Sequence, residues 1–326
     1  MSDATYQSAN YQAQGGNTWV IGTNGTLEIN GAVTGLTPGV NVFVDSVTGS
    51  NSNDGSSWAN AVATIDYAVS LCTANKGNKI FVAPGHTETV TAASGIDLDV
   101  AGISVIGLGQ GTNRPTITMG TATSASLDFS AANCRICNLR FACNIDNLAA
   151  FIIGGANDAT IEDCEFANGS SKEYLTAITV PTTYDNWTIR RCRFIQASDP
   201  AGTNGGAGTG CIYIVDSENV LIEDCEFRGN FETALIHNKT TAATNLWVRR
   251  CWGIMGTATA DALPFVLVST ASGGVAQTYI TNPNSLDVTE ATFTGTFGAA
   301  FFNFQSYFGN DGGGGQLAVA GQTAAS

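Results

Sequence analysis

Apolar residues along the middle of this chain fall in short alternating runs between Gly-, Asn-, Asp- and Thr-rich turns, with no helical spacing among them. Such alternation marks strands with one buried face. One six-residue phrase recurs: IEDCEF at 161–166, IRRCRF at 189–194, IEDCEF at 222–227 and VRRCWG at 248–253. Written more loosely, it also takes Ile103/Ile106/Leu108 and Ile136/Leu139/Phe141. The central positions 106, 139, 164, 192, 225 and 251 stand 33, 25, 28, 33 and 26 residues apart, a mean of 29. A period of that length means a stacked repeat. A second short apolar strand precedes most copies: Leu127–Phe129, Phe151–Ile153, Ala177–Val180, Cys211–Val215 and Ala234–Ile236. Several short strands per repeat and no helix exclude leucine-rich and ankyrin-type arrays. What remains is an all-β parallel β-helix, each repeat one coil, with equivalent residues stacked about 4.8 Å apart.

A solenoid has two open ends that need cover. Residues 58–76 put Trp58, Val62, Ile65, Val69 and Cys72 on one helical face after a DGSS turn, which predicts a capping helix over the N-terminal mouth. VFVDS (42–46) reads as a strand before it, and Ile80–Val82, broken by APGH, as the first coil after it. The coils are expected over 41–270. Over 271–326 the repeat is lost, and Phe293, Phe297, Phe301, Phe302, Phe304 and Phe308 crowd one stretch. That cluster either caps the last coil or packs against identical subunits. The Gly-rich tail beyond it has the composition of a docking arm or a flexible segment. Residues 1–40 form a separate arm, in which NTWVIGTNGTLEING reads as two strands around Asn24-Gly25, a hairpin signal. Trp19 and Ile21 are its candidate attachment residues, and Phe297, Phe301, Phe302 and Phe304 are candidates for an oligomer contact.

Charge narrows the partners. Thirteen basic against 27 acidic residues give a net charge of −14, which repels polyanions, so no nucleic-acid partner is expected. No apolar run nears the ~20 residues that cross a bilayer, and the opening MSDATYQSAN carries neither the basic nor the apolar stretch of a leader peptide. No membrane partner is expected. Of the nine cysteines, Cys164, Cys192, Cys225 and Cys251 belong to the repeat and read as small buried hydrophobes. Cys134 and Cys137 have CxxC spacing, but no second CxxC or nearby histidine completes a metal set. They read as core positions, and no cofactor or metal is expected.

Stacking also accounts for the reversal of charge between copies. Glu162/Asp163 are expected beside Arg190/Arg191, these beside Glu223/Asp224, and these beside Arg249/Arg250, with a further outward column of Arg140, Glu165, Arg193 and Glu226. Opposite charges at strand spacing attract by roughly 0.2–1 kcal/mol each where exposed, and like charges repel. The ladder is expected to set coil register. A catalytic or anion-binding arginine cluster is the competing reading, and it must explain why each arginine already has a carboxylate neighbour.

Candidate chemistry is sparse. Five residues past each repeat's aromatic lie Asp146, Ser171, Asp199 and Glu232. Asp199 and Glu232, on adjacent coils, are the alternative catalytic pair of a glycan-cleaving enzyme or a calcium site, against the plainer reading of solvated turn residues. His86 and His237 lie more than 150 residues apart and read as turn or surface positions. Gly107-Leu108-Gly109-Gln110-Gly111 lacks the helix and lysine of a phosphate-binding loop.

The stretch VFVDSVTGSNSNDGSSWANAVATIDYAVSLC…GNKIFVAPGHTE, followed by the I-x-[DR]-C-x-F coils, resembles the entry and body of pectate-lyase-like right-handed β-helix proteins over residues 41–270. The opening YQAQGGNTWVIGTNGTLEINGAV resembles the N-termini of short β-helix proteins encoded with tailed-phage head genes. That resemblance implies a virion-surface component, commonly a homotrimer, assembled in the host cytoplasm on a phage capsid or other virion proteins. The expectation is a non-enzymatic capsid-decoration protein; alternatively, it is a tailspike-like protein that binds or cleaves host-surface glycans.

Overall fold

The computed structural model describes residues 10–12, 19–21, 39–168, 172–181, 183–196, 211–229, 235–238, 245–255, 266–268, 273–282, 300–303 and 307–310. The chain divides into two compact units, Met1–Pro38 and Gly39–Ser326. In the first, Asn10–Gln12 pairs antiparallel with Trp19–Ile21, Tyr11 opposite Val20. The strand holding Trp19 and Ile21 therefore uses its partner on the N-terminal side. The Asn24-Gly25 turn expected on its other side lies outside the described residues.

The second unit is a parallel β-helix with three faces. The first face runs Asn41–Val44, Lys79–Val82, Ser104–Gly107, Arg135–Cys137, Thr160–Glu162, Thr188–Arg190 and Leu221–Glu223. The second runs Thr87–Val90, Thr116–Met119, Arg140–Cys143, Glu165–Asn168, Arg193–Gln196 and Glu226–Gly229. Leu246–Met255 and Gly273–Asn282 pass through the corner between them and join both faces into one 17-stranded sheet. The third face is a 7-stranded sheet of Ile96–Asp97, Leu127–Phe129, Ile152–Gly154, Ile178–Val180, Ile212–Ile214, Ile236–Asn238 and Val266–Val268. Gly273–Asn282 also pairs in parallel with Ala300–Asn303 and Tyr307–Asn310, placing Phe302 beside Val275 and Phe301 beside Gly274. Strand stacking thus runs on past residue 270, where the repeat phrase stops announcing it. Phe297 and Phe304 lie outside the described residues.

The interior is built from columns of like residues. Phe141, Phe166, Phe194 and Phe227 stack with centroids 5.0, 4.9 and 4.8 Å apart and planes within 9°, the offset geometry that rung spacing allows aromatic rings. Ile136, Ile161, Ile189, Ile222 and Val248 form an aliphatic column beside them. Trp187 is fully buried, its Nε1 donating to the Ala156 carbonyl at 3.0 Å, with its ring edge toward Phe129.

Two expectations change. Ile136 pairs with Val105 and not with Ile103, so the first copy of the phrase slips by two residues. Ile103 and Val105 are both buried; a slip of two preserves the inward face in a period-two pattern, so alternation cannot reveal it. The predicted helix over 58–76 is only α1, Ile65–Ser70, preceded by a 3-10 turn at Trp58–Asn60. Val62 bridges Val44 through backbone hydrogen bonds with Phe43 and Asp45, which prevents the helix from starting earlier. Thr64 then caps it, its hydroxyl accepting from Tyr67 N. α1 packs on Asn41–Val44, Lys79–Val82 and Ile96–Asp97. It fills the level at which the first face has begun and the other two have not.

Candidate functional site: the arginine–carboxylate ladder

Each coil turns from the first face to the second through a residue at positive φ: Asn138 (56°), Asp163 (56°), Arg191 (53°), Asp224 (54°) and Arg250 (51°). Asn and Asp tolerate this left-handed region and arginine does so less readily. The next residue is a buried cysteine in four consecutive coils. Cys164, Cys192, Cys225 and Cys251 donate their thiols to the carbonyls two residues back, at 3.3, 3.3, 3.3 and 3.4 Å. A small apolar side chain with one weak donor fits this corner, where each of those carbonyls also accepts a backbone N–H from the preceding coil. Burial pushes the Cys164 and Cys225 thiols well up, so they stay protonated.

The charged residues of the corner stack in the expected register: Glu162 beside Arg190, Arg190 beside Glu223, Glu223 beside Arg249, and Arg140, Glu165, Arg193 and Glu226 in succession. Contacts, however, close mainly in doublets. Arg190 Nε donates to Glu162 Oε2 at 2.6 Å, Arg191 Nη2 to the same oxygen at 2.8 Å, and Arg191 Nε to Asp163 Oδ1 at 2.8 Å. Two coils on, Arg249 Nε reaches Glu223 at 3.0 Å, and Arg250 reaches Glu223 at 2.9 Å and Asp224 at 2.7 Å. Arg193 bridges Glu165 and Glu226, each at 3.1 Å, and Arg140 lies 3.2 Å from Glu165.

Glu162 departs from the outward, solvated placement expected of it, being 1% exposed. Arg135, absent from the sequence-based ladder, joins Arg190 and Arg191 over its carboxylate. Burial alone raises the Glu162 carboxyl pKa; the hydrogen bonds from Arg190 and Arg135 outweigh it and hold the group below the ordinary carboxylate value. Arg191 likewise lowers Asp163, and Arg250 lowers Asp224. The guanidiniums of Arg191 and Arg250 are raised in return. Arg228 pairs with Glu226, its guanidinium 5.2 Å from the Trp252 ring centroid, and Arg114 lies 3.9 Å from Glu165. All nine arginines of the sequence therefore have a carboxylate neighbour.

Metal chemistry fits this corner poorly. Cys137, Glu162 and Asp163 bring their ligand atoms within 4.8 Å of one another, but three guanidiniums already occupy the two carboxylates, and burial raises the Cys137 thiol. Cys137 and Cys134 do not act as a CxxC pair: Cys134 is buried just ahead of the strand Arg135–Cys137, and Cys137 is half-buried at that strand's end. Asp199 and Glu232 lie outside the described residues. Asp146, in the same expected column, is exposed and paired with Lys172 at 2.9 Å.

His86, expected in a turn or at the surface, is fully buried. Its Nε2 lies 3.2 Å from Glu88 Oε2, which also accepts from Ile65 N at the start of α1. Glu88 sits in register with the inward-facing Ile117, so an inward carboxylate ties the turn to the capping helix. Sequence reasoning also missed an amide column at the corner before the first face. There Asn186 Nδ2 donates to Asp158, Asn219 to Asn186 and Asn245 to Asn219, at 2.9, 3.1 and 3.0 Å. Its signal was present as an Asn or Asp six residues ahead of every corner cysteine. On the third face Asp97 pairs with Asp128, whose oxygens accept from Ser94 and Ser126 at 2.6 Å each. Desolvation, with Asp99, Asp128 and Asp66 nearby, raises Asp97.

Among solved structures the chain is similar to a rhamnogalacturonan lyase, with a TM-score of 0.50 and 16% identity over 76% of this chain and 69% of that one. At that identity the likeness is one of fold: this is a right-handed, pectin-lyase-like parallel β-helix protein. No protein-family model matches the sequence, and no curated relative does.

Proposed function

We propose that this chain is a structural protein of a bacteriophage virion, displayed on the capsid surface as a homo-oligomer, and that it acts without catalysis. The observation that carries this reading is the closed charge of the outward corner, where every arginine is already matched to a carboxylate. A lyase-type base must be free to take a proton, and an anion-binding arginine must have hydrogen-bond capacity to give. Here pairing raises Arg191 and Arg250 and moves them away from base chemistry. A separate N-terminal unit, Met1–Pro38, supports an attachment role ahead of the solenoid. The fold by itself is neutral on activity, since one fold hosts many chemistries.

The test combines the solution mass of the full chain, its binding to emptied phage heads, and its action on a panel of bacterial polysaccharides. An oligomer that binds heads and leaves every glycan intact is the expected result. Cleavage of a glycan that is lost in Asp199→Asn or Glu232→Gln would replace this reading with a tailspike-like enzyme. Glycan binding without cleavage, together with failure to bind heads, would make it a receptor-binding spike.

A further inference from the structure

All nine arginines of the chain gather along one edge of the first face, at the turn to the second face and the outward column beside it. There they share six carboxylates, those of Glu162, Asp163, Glu165, Glu223, Asp224 and Glu226, so pairing occupies the arginines and still leaves three positive charges over. The guanidiniums also lie outermost. Arg190, Arg191, Arg193, Arg249 and Arg250 have side chains 38–51% exposed, and the four glutamates beneath them 2–17%. A chain of net charge −14 thus presents a cationic edge here.

The opposite edge of the same face is acidic. Asp158, Asp185 and Glu218 lie just ahead of the strands Thr160–Glu162, Thr188–Arg190 and Leu221–Glu223, so each stands at the rung of a ladder corner. They stack coil on coil: Asp158 N donates to Asp185 O and Asn186 N to Glu218 O, at 2.9 Å each. Residues 155–159, 183–187 and 215–220, Asp216 among them, hold no lysine or arginine. Among the described residues none of these four acids is ion-paired.

We infer that identical copies associate with their solenoid axes parallel and their first faces turned inward, the acidic edge of one against the arginine edge of the next. The inference rests on the homo-oligomer in the proposed function and adds the surface and the orientation. Rotation about an axis parallel to the solenoid, by a half-turn or a third of a turn, brings opposite edges of the inward face together at the same rung. A two-fold axis across the solenoid instead sets acid edge against acid edge and guanidinium against guanidinium, and like charges repel. Exposed pairing of this kind selects orientation and speeds encounter more than it adds affinity, and salt screens it.

Sedimentation equilibrium on the full chain, at low and at high salt, tests this. The wild type is expected to be an oligomer that loosens as salt rises. Glu218→Lys, at an exposed acid outside the ladder, is expected to weaken association about tenfold at low salt with the wild-type melt, and Glu218→Gln to weaken it less. Asp146→Lys makes the same change of charge at an exposed acid beyond the second face and should not weaken association. Association indifferent to Glu218→Lys, weakened equally by Asp146→Lys, or tightened by salt overturns the two docking edges and leaves the homo-oligomer standing. A wild type monomeric at every concentration overturns both.

Discussion

Arg190 Nε donates to Glu162 Oε2 at 2.6 Å across one rung, and the residue accepting that bond is 1% exposed. With Arg135 and Arg191 also on the carboxylate, Glu162→Gln leaves three guanidiniums around a neutral amide. The three arginine side chains are 37–45% exposed, so water screens part of the loss. The expected destabilisation is about 1–3 kcal/mol, read from urea melts, with Asp163→Asn below about 1 kcal/mol because its carboxylate is already wet. Equal effects at the two sites would contradict the burial.

The doublet arrangement makes rescue specific. Arg191→Glu places three acids together at the corner and should lower stability modestly. Adding Asp163→Arg restores the pair across the same rung, while adding Asp224→Arg leaves Arg191→Glu facing the Asp163 it bonds in the wild type. A double-mutant cycle should therefore show coupling of about 0.5–1 kcal/mol or more with Asp163 and little with Asp224. Matching coupling to both would mean a continuous ladder.

Acid should weaken the protein through the same carboxylates. Glu162, Asp163 and Asp224 lie below their ordinary values of 4.5, 3.8 and 3.8. A carboxylate depressed in the folded state contributes stability that is complete above its unfolded pKa and is lost as pH falls through the folded one. The melting temperature should hold down to about pH 4.5 and then drop, less steeply in Glu162→Gln. Asp97 has the opposite sign, raised by desolvation. Its ionisation costs folded stability as pH rises, so Asp97→Asn should raise the melting temperature at pH 7.

A Cβ added at Gly154 would lie 2.5 Å from the Trp187 ring. The indole crosses the adjacent coil there to reach the Ala156 carbonyl. Gly154→Ala should cost about 1–3 kcal/mol by overpacking, and Trp187→Phe in the same chain should recover part of it by removing the ring that clashes. Loss without any recovery would place the strain in the backbone.

Thiol reactivity should follow burial. Seven of the nine cysteines are buried, and Cys72 and Cys137 are half-buried. Burial lifts Cys143 to about 11 and holds the Cys164 and Cys225 thiols protonated. Native protein should react with a disulfide reagent first at Cys72 and Cys137, and the corner cysteines should react only after unfolding. Prompt labelling of Cys192 or Cys225 would mean that the coils open locally.

Much of the solenoid could be read from residue order because its determinants are local and repeated. The period of the phrase, inward Phe and Cys against outward Glu and Arg, and opposite charge on successive copies all follow from alternation and from the stacking of one coil on the next. Ile161, Phe166 and Glu165 fall into register with Ile189, Phe194 and Arg193 as their spacing implies.

The tertiary structure decided what depends on three-dimensional neighbours outside the repeat. Val62 takes a backbone bridge with Val44 and shortens α1, although its side chain suits the helical pattern. Ile103 and Val105 share a face, so only hydrogen bonding between coils fixes which of them meets Ile136. Glu162 looks like an exposed acid until Arg135, from the neighbouring column, closes over it together with Arg190 and Arg191. Alternation along one strand specifies which way a side chain faces; what covers it is set by side chains from other coils, whose reach and direction linear spacing does not encode.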